Sequence, residues 1–461
     1  MASSFESIAQ WRVTPDNPPR EIDGLDSERC AALHNFVVQH GWNSYHGTPV
    51  DLNTLSSWWT IWGNDAESLR PKLHPSLVDF LQRAYVTPWK SGLSFFTYLH
   101  GLNGVGEFWF HDVFGEPERT VTLYVTHTEF GSNPDGLVYD QADHTVRMNF
   151  SMEDISGPEV DSANGWMKLE CVLSIYIDMI ERGKAVALSK QMILDREDAP
   201  EIDPVTGTFR LGHIFKPWTM VPYSSLDIED TITIWNELVA EIERRMPGYV
   251  EDKQDTPQYG LLDATQLDAA GIPQGFAREL LSRVRKPNFT FIAPGIRVPT
   301  LEEFIEQPFR RIEGPHFEPD FRWAIRLFMI EHTKQYSETE VTWPIYLQQS
   351  RMPCGVFFDF CWIQAPCPFE DSMRVELPFK LACRSDGSTP GLWETDYTHL
   401  YGMRHRTQLL AILENMYEAL ILDNWQVDSH GVAGGIAVFE EASMEQLEQF
   451  YRIPVGPGYF W

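Results

Sequence analysis

His127 and Glu129 stand two positions apart at the end of Thr120–Phe130, a segment reading Thr-Val-Thr-Leu-Tyr-Val-Thr-His-Thr-Glu-Phe. Side chains alternate along a strand, so both would share a face with Val121, Leu123 and Val125. A histidine and a carboxylate ending an apolar face suit general acid–base work, with His127 as the acid/base and Glu129 orienting its ring. The bland alternative is a strand end turning toward solvent. A second dense cluster runs from Glu394 to Arg406 and holds Asp396, His399 and Arg404 among aromatic residues. Loops rich in titratable groups occur at active sites and on ordinary surfaces alike.

Charge points to a third region. Residues 278–326 carry nine basic and seven acidic residues inside a chain of formal charge −30. Arg283 and Arg285 could dock a phosphate or an RNA backbone there. Arg297 or Arg404 could clamp an anionic group of a small substrate. Ion pairs on a solvated helix face explain the same pattern. Trp58, Trp59 and Trp62 form an aromatic cluster that could line a ligand site or a recognition surface, or simply be core.

Several chemistries lack their residues. The His-x-Glu of zinc nucleobase deaminases needs a later Pro-Cys-x-x-Cys, and here Pro353-Cys354 and Pro366-Cys367 have no second cysteine at that spacing. No two histidines fall at the i, i+4 spacing of a helical metal site, and the spacings within Cys354–Cys383 exceed those of zinc fingers. The glycine-rich stretches at 101–106 and 431–435 do not have the setting of a dinucleotide or phosphate loop. Gly-x-Ser-x-Gly is absent. The expectation is therefore a site with neither metal nor organic cofactor.

The composition fits a folded chain of 461 residues that is 43% hydrophobic, with 16 Trp, 28 Phe and 16 Tyr. Its negative charge argues against a general nucleic-acid coat or an anionic-membrane binder. Six scattered cysteines read as reduced thiols. No apolar run is long enough to span a bilayer, and the first residues lack a basic segment followed by an apolar stretch, so a cytoplasmic protein is expected.

The elements that must hold these residues follow from periodicity. Helices are expected over 28–40, around Trp58–Trp62, over 75–85, 162–187, 228–245, 273–285 and 407–422, with an acidic C-terminal helix near 440–448. Strands are expected over 93–99, 120–130, 208–214, 289–293, 342–347, 354–363 and 374–378, with a hairpin at 136–150. Without strict strand–helix alternation, the class is α+β with largely antiparallel sheet. The acidic, proline-interrupted stretch 195–204 divides the chain into regions 1–200 and 205–461.

The leading functional expectation is an enzyme that acts on a small aromatic or apolar metabolite by group transfer, condensation or cyclisation. It would use His127 and Glu129, with Asp396 and His399 as further candidates. One alternative is an aminoacyl- or nucleotidyl-transfer enzyme that docks tRNA or another phosphate-bearing ligand on 278–326. Another is a binding protein without catalysis.

Overall fold

Asp26 starts the first long helix because its carboxylate accepts the Arg29 N–H, one of the donors a helix start leaves unpaired. That helix, α1, runs Ser27–His46 and ends at Gly47, whose φ of +69° suits a residue without Cβ. Helix α2 (Trp58–Leu69) is capped by Ser57, and α3 (Pro75–Arg83) opens with proline in its first turn. The computed structural model describes residues 5–51, 55–87, 91–97, 99–109, 116–126, 136–149, 166–197, 215–250, 257–309, 324–335, 351–358, 369–382, 392–393, 407–444 and 446–453.

The three helices pack with an antiparallel sheet of four strands in sequence order: β1 (Leu99–Leu102), β2 (Thr120–Thr126), β3 (Gly136–Asp140) and β4 (Thr145–Asn149). The 136–150 hairpin is thus present, with Asp140 opposite Thr145. Of the expected strand 93–99, residues 93–97 turn instead, with the Phe96 N–H donating to the Leu99 carbonyl at 3.1 Å, and Leu99 opens β1.

The helix expected over 162–187 is shorter. It runs Leu169–Glu181 (α4) and stops at Gly183, φ +73°; the chain then enters β5 (Ala185–Ala187), which pairs with β6 (Trp218–Met220). Apolar residues resume at Ala185–Ala187 after the interruption Glu181-Arg182-Gly183-Lys184, and the expected helix runs across it.

Helix α5 (Ser225–Arg245) begins with a reciprocal Ser224–Asp227 capping box. Short helices α6 (Ala264–Ala270), α7 (Phe276–Arg283) and α8 (Leu301–Ile305) follow, and α9 (Leu409–Ile421) packs on α5. They accompany a sheet ordered β11-β10-β9-β8-β7-β13-β12. Its strands are β7 (Phe291–Ala293), β8 (Ile296–Arg297), β9 (Ile325–Gln335), β10 (Arg351–Phe358), β11 (Met373–Glu376), β12 (Val427–Asp428) and β13 (Gly431–Val432). All neighbours are antiparallel except β13 and β7. The acidic C-terminal stretch forms 3-10 turns, Ile436–Ser443 and Glu448–Phe450, rather than an α-helix.

The fold is α+β, with antiparallel and mixed sheets packed with helices. Its buried apolar side chains fall into two clusters. One gathers α1–α4 and the four-stranded sheet; the other gathers α5–α9 and the seven-stranded sheet. Phe369, from the C-terminal half, packs into the first cluster. No described helix is long and apolar enough to cross a membrane. The expected strands at 208–214 and 342–347, and all but the start of the 195–204 stretch, lie outside the described residues.

Candidate functional site

A well-formed hollow lies in the C-terminal half. Helices α6, α7 and α8 and the 286–290 segment face β8 and β9 across a cleft of about 330 Å³. Its wall is mainly apolar, with Leu281, Phe289, Phe304, Leu327 and Phe328 prominent; Gln266, Lys286, Thr290, Arg297 and Thr300 supply polar groups. The volume is at the small end of ordinary ligand pockets. Behind Phe328, Trp235 stacks parallel at 5.5 Å between ring centroids. Among the described residues, no histidine or carboxylate lines the cleft.

Local sequence explains how this wall is set. Thr300 and Glu303 form a capping box that starts α8. The Glu303 carboxylate also accepts two hydrogen bonds from the Arg297 guanidinium, at 2.7 and 2.6 Å. Glu331 on β9 takes a third, from Arg297 Nε, at 2.8 Å. The bonds from Arg297 are the main reason that the Glu303 carboxyl is drawn down to about 2. Arg297 does line the cleft, as an anion clamp should, but its guanidinium is already held by two carboxylates. Lys286 differs: among the described residues, no carboxylate pairs with its exposed side chain.

Three further arginines of the basic segment are engaged. Arg278 pairs with Asp268 at 2.6 Å, Arg283 with Glu229 at 2.6 Å, and Arg285 with Glu243. The predicted phosphate-docking arginines, Arg283 and Arg285, thus each face a carboxylate of α5. The local excess of positive charge in the sequence is largely compensated in space.

Trp58 is completely buried. It stacks on Phe108 at 4.9 Å, and its indole N–H donates to the Asn103 carbonyl. Trp59 is also buried and bonds Glu67; Trp62 is half-buried against Trp58 and Gly104. This placement makes Trp58 and Trp59 core residues rather than exposed anchors. His127, Glu129, Asp396, His399 and Arg404 lie outside the described residues. The structure therefore brings Arg297 to a cavity and sets Arg283, Arg285, Trp58 and Trp62 elsewhere.

Two buried polar centres were missed by sequence reasoning. His34 on α1 lies beside a hollow of about 50 Å³. Its Nε2 faces the Tyr85 carbonyl, which can only accept, so Nε2 carries the proton and Nδ1 accepts from the Tyr124 hydroxyl; both contacts are 2.8 Å. Burial lowers its pKa to about 4. With both nitrogens used, this imidazole is a neutral core residue.

The second centre joins distant parts of the chain. Lys184 Nζ donates to Asp227 at 3.0 Å and to both Asp371 oxygens at 3.1 and 3.0 Å, with all three side chains buried. The ammonium also sits 4.4 Å from the centre of the Phe369 ring. Gln408 donates to Asp371 at 2.7 Å. Burial raises the Asp371 pKa to about 6, against the opposing pull of Lys184. Burial also pushes Asp227 upward, but Lys184, the Ser224 N–H and Arg182 outweigh it and hold that carboxyl below its ordinary value.

The three described cysteines, Cys30, Cys171 and Cys354, are buried free thiols. Burial drives Cys171 and Cys354 up to about 12, which keeps them protonated and poorly nucleophilic. Comparison of the chain with protein-family models, curated proteins and solved structures finds no match.

Proposed function

We propose that the cleft between α6–α8 and strands β8–β9 takes up a small, largely apolar or aromatic molecule carrying an anionic group. We further propose that the protein transforms it by group transfer, condensation or cyclisation. The observation that carries the binding step is the pairing of an apolar hollow of about 330 Å³ with one exposed ammonium, that of Lys286. Phenylalanine faces bury a flat ligand, and a rim cation without its own carboxylate can pair with a ligand's anion without first breaking an internal bond. Arg297 then serves as wall, locked by Glu303 and Glu331. The chemical step is assigned to His127 as acid/base and Glu129 as its orienting partner, on the strength of the sequence alone.

The test uses the full chain and a panel of aromatic carboxylates and phosphates, each with its neutral parent, read by ligand-observed NMR. The expected result is selective binding of some anionic members. Lys286→Glu should weaken them by about tenfold or more, the value of one charge-assisted contact, and leave neutral parents unchanged. Phe304→Trp, which fills the hollow, should weaken both kinds. If no member binds, or if the filled variant binds as well as the parent protein, the cleft is not the site. For any member that is turned over, His127→Ala and Glu129→Ala should abolish turnover and spare binding.

A further inference from the structure

Asp23, His74 and His144 are far apart in sequence and no spacing rule joins them. In the fold each offers one ligand atom, and these atoms all lie within 4.8 Å of one another. His74 caps the start of α3, where its backbone N–H donates to Gln141 Oε1 at 2.7 Å. His144 sits in the β3–β4 turn at φ +56°, with its N–H on the Asp140 carbonyl. Asp23 precedes Gly24, whose φ is +108°. A Cβ at Gly24 would fall 2.6 Å from Ser76 Oγ and 2.9 Å from His74 Cε1, so only glycine lets this loop come so close.

The rings are held as a metal site would hold them. Ligating histidines turn their second nitrogen to an oxygen partner, which fixes the ring and leaves the other nitrogen for the ion. Here His74 Nδ1 lies 2.8 Å from Ser76 Oγ, and His144 Nδ1 lies 3.1 Å from the Tyr139 hydroxyl. The Ser76 N–H also reaches His74 Nδ1 at 3.4 Å, a long capping bond that gives way when Nδ1 donates to the hydroxyl. Ser76 is itself anchored by the Leu25 N–H at 2.8 Å and bonds Tyr139. Each ring thus keeps Nε2 to offer. His144 Nε2 already faces an Asp23 oxygen at 3.4 Å, and the ring centroids of the two histidines are 4.5 Å apart.

We infer that Asp23, His74 and His144 form a binding site for a borderline divalent cation, Zn²⁺ in the first instance, with three protein ligands and one position left to water. Two imidazoles and a carboxylate favour such an ion over Mg²⁺ or Ca²⁺, which prefer oxygen. Bonds of about 2.0–2.2 Å require the ligand atoms to draw inward. The Asp23 side chain, 97% exposed, is free to do so. The bound ion would pin the segment around Asp23 to the start of α3 and to the β3–β4 turn.

The experiment titrates chelator-stripped full-length protein with Zn²⁺ alone, in competition with a chromophoric chelator. His144→Asn tolerates the positive φ, His74→Asn keeps a helix cap, and Asp23→Asn changes only an exposed group. Each should weaken one Zn²⁺ equivalent by roughly 100-fold or more, and Tyr139→Phe by about 10–100-fold, as loss of a ring-orienting partner does. Ca²⁺ and Mg²⁺ should not compete. Circular dichroism checks the fold of each variant, and Asp23→Asn stands as the test even if a histidine variant unfolds. Zn²⁺ binding that is absent from the parent protein, or unchanged by Asp23→Asn and His144→Asn, overturns the inference.

Discussion

Two ionic centres in this protein share a core of one cation between two carboxylates and have opposite settings; in the first, Arg182 also reaches Asp227. Around Lys184, the side chains of Lys184, Asp227 and Asp371 are 0%, 2% and 3% exposed. Around Arg297, Arg297, Glu303 and Glu331 are 11%, 34% and 67% exposed. In the first, water is replaced by the partners, by Gln408, by Arg182 beside Asp227 and by the Phe369 ring, so each charge depends on the others. In the second, water remains to solvate either carboxylate that loses its cation. The Lys184 centre joins the entry of β5 to the start of α5 and to Asp371, two residues past a phenylalanine buried in the N-terminal core. The Arg297 centre fixes one wall of a cavity. Burial, rather than charge composition, decides which of them the fold depends on.

The largest expected effect is at Lys184. Lys184→Met leaves Asp371 buried without a cation and Asp227 with Arg182 alone. Breaking a buried pair in this way should lower unfolding free energy by about 3–5 kcal/mol. Urea denaturation at neutral pH measures it. Adding Asp371→Leu to Lys184→Met should recover part of the loss, since one uncompensated charge is then gone. A single variant within about 0.5 kcal/mol of the parent protein, the range of ordinary surface changes, would remove the contrast between the centres.

The next effect is a change in pH dependence. The Asp371 pKa is raised from 3.8 to about 6 in the folded state. Its protonated form therefore favours folding: that contribution is complete below the unfolded value and is lost as the pH rises through about 6. Asp227, held below its ordinary value, has the opposite sign, and its contribution fades only as the pH falls through the acid range. Asp371→Asn keeps the shape and the acceptor for Gln408 and leaves Lys184 paired with Asp227. Its stability relative to the parent protein should rise between about pH 4 and pH 7, on the order of 1–3 kcal/mol. Denaturant midpoints across that range give the comparison, and parallel curves for the two proteins would place the titration elsewhere.

What could be read from the sequence follows the range of the interaction involved. Helix α1, the β3–β4 hairpin and α5 announce themselves through caps, turns and periodicity, all local signals. The break after Glu181 was legible in part: Glu181-Arg182-Gly183-Lys184 interrupts the apolar pattern, and Gly183 takes the positive φ that ends the helix, but the apolar Ala185–Ala187 beyond it reads as more helix until it is seen to pair with β6. Arg297 was legible as a cation in a basic segment, but its answering carboxylate on β9 comes from a strand pairing. Arg283 and Arg285 looked like an anion patch for the same reason: their partners on α5 lie 54 and 42 positions away. Lys184–Asp371 and Asp23–His144 span still longer separations, so only the folded chain brings them together.

The smallest expected effect is at Arg297, and it separates a wall residue from a ligand clamp. Arg297→Met removes the bonds to Glu303 and Glu331, yet both carboxylates keep access to water and Glu303 keeps its capping bond with the Thr300 N–H. The stability loss should be about 1–2 kcal/mol, the range for charge-assisted bonds near a surface. The Glu303 carboxyl, no longer held by the guanidinium, should return from about 2 toward its ordinary value, which NMR titration can follow. Affinity for an anionic ligand of the cleft should fall less than in Lys286→Glu, because in the parent protein the guanidinium is already committed to its two carboxylates. A stability loss as large as that of Lys184→Met would mean that partial exposure gives Arg297 no relief. A ligand-affinity loss exceeding that of Lys286→Glu would mean that the ligand's anion displaces Glu303 or Glu331 and takes the arginine for itself.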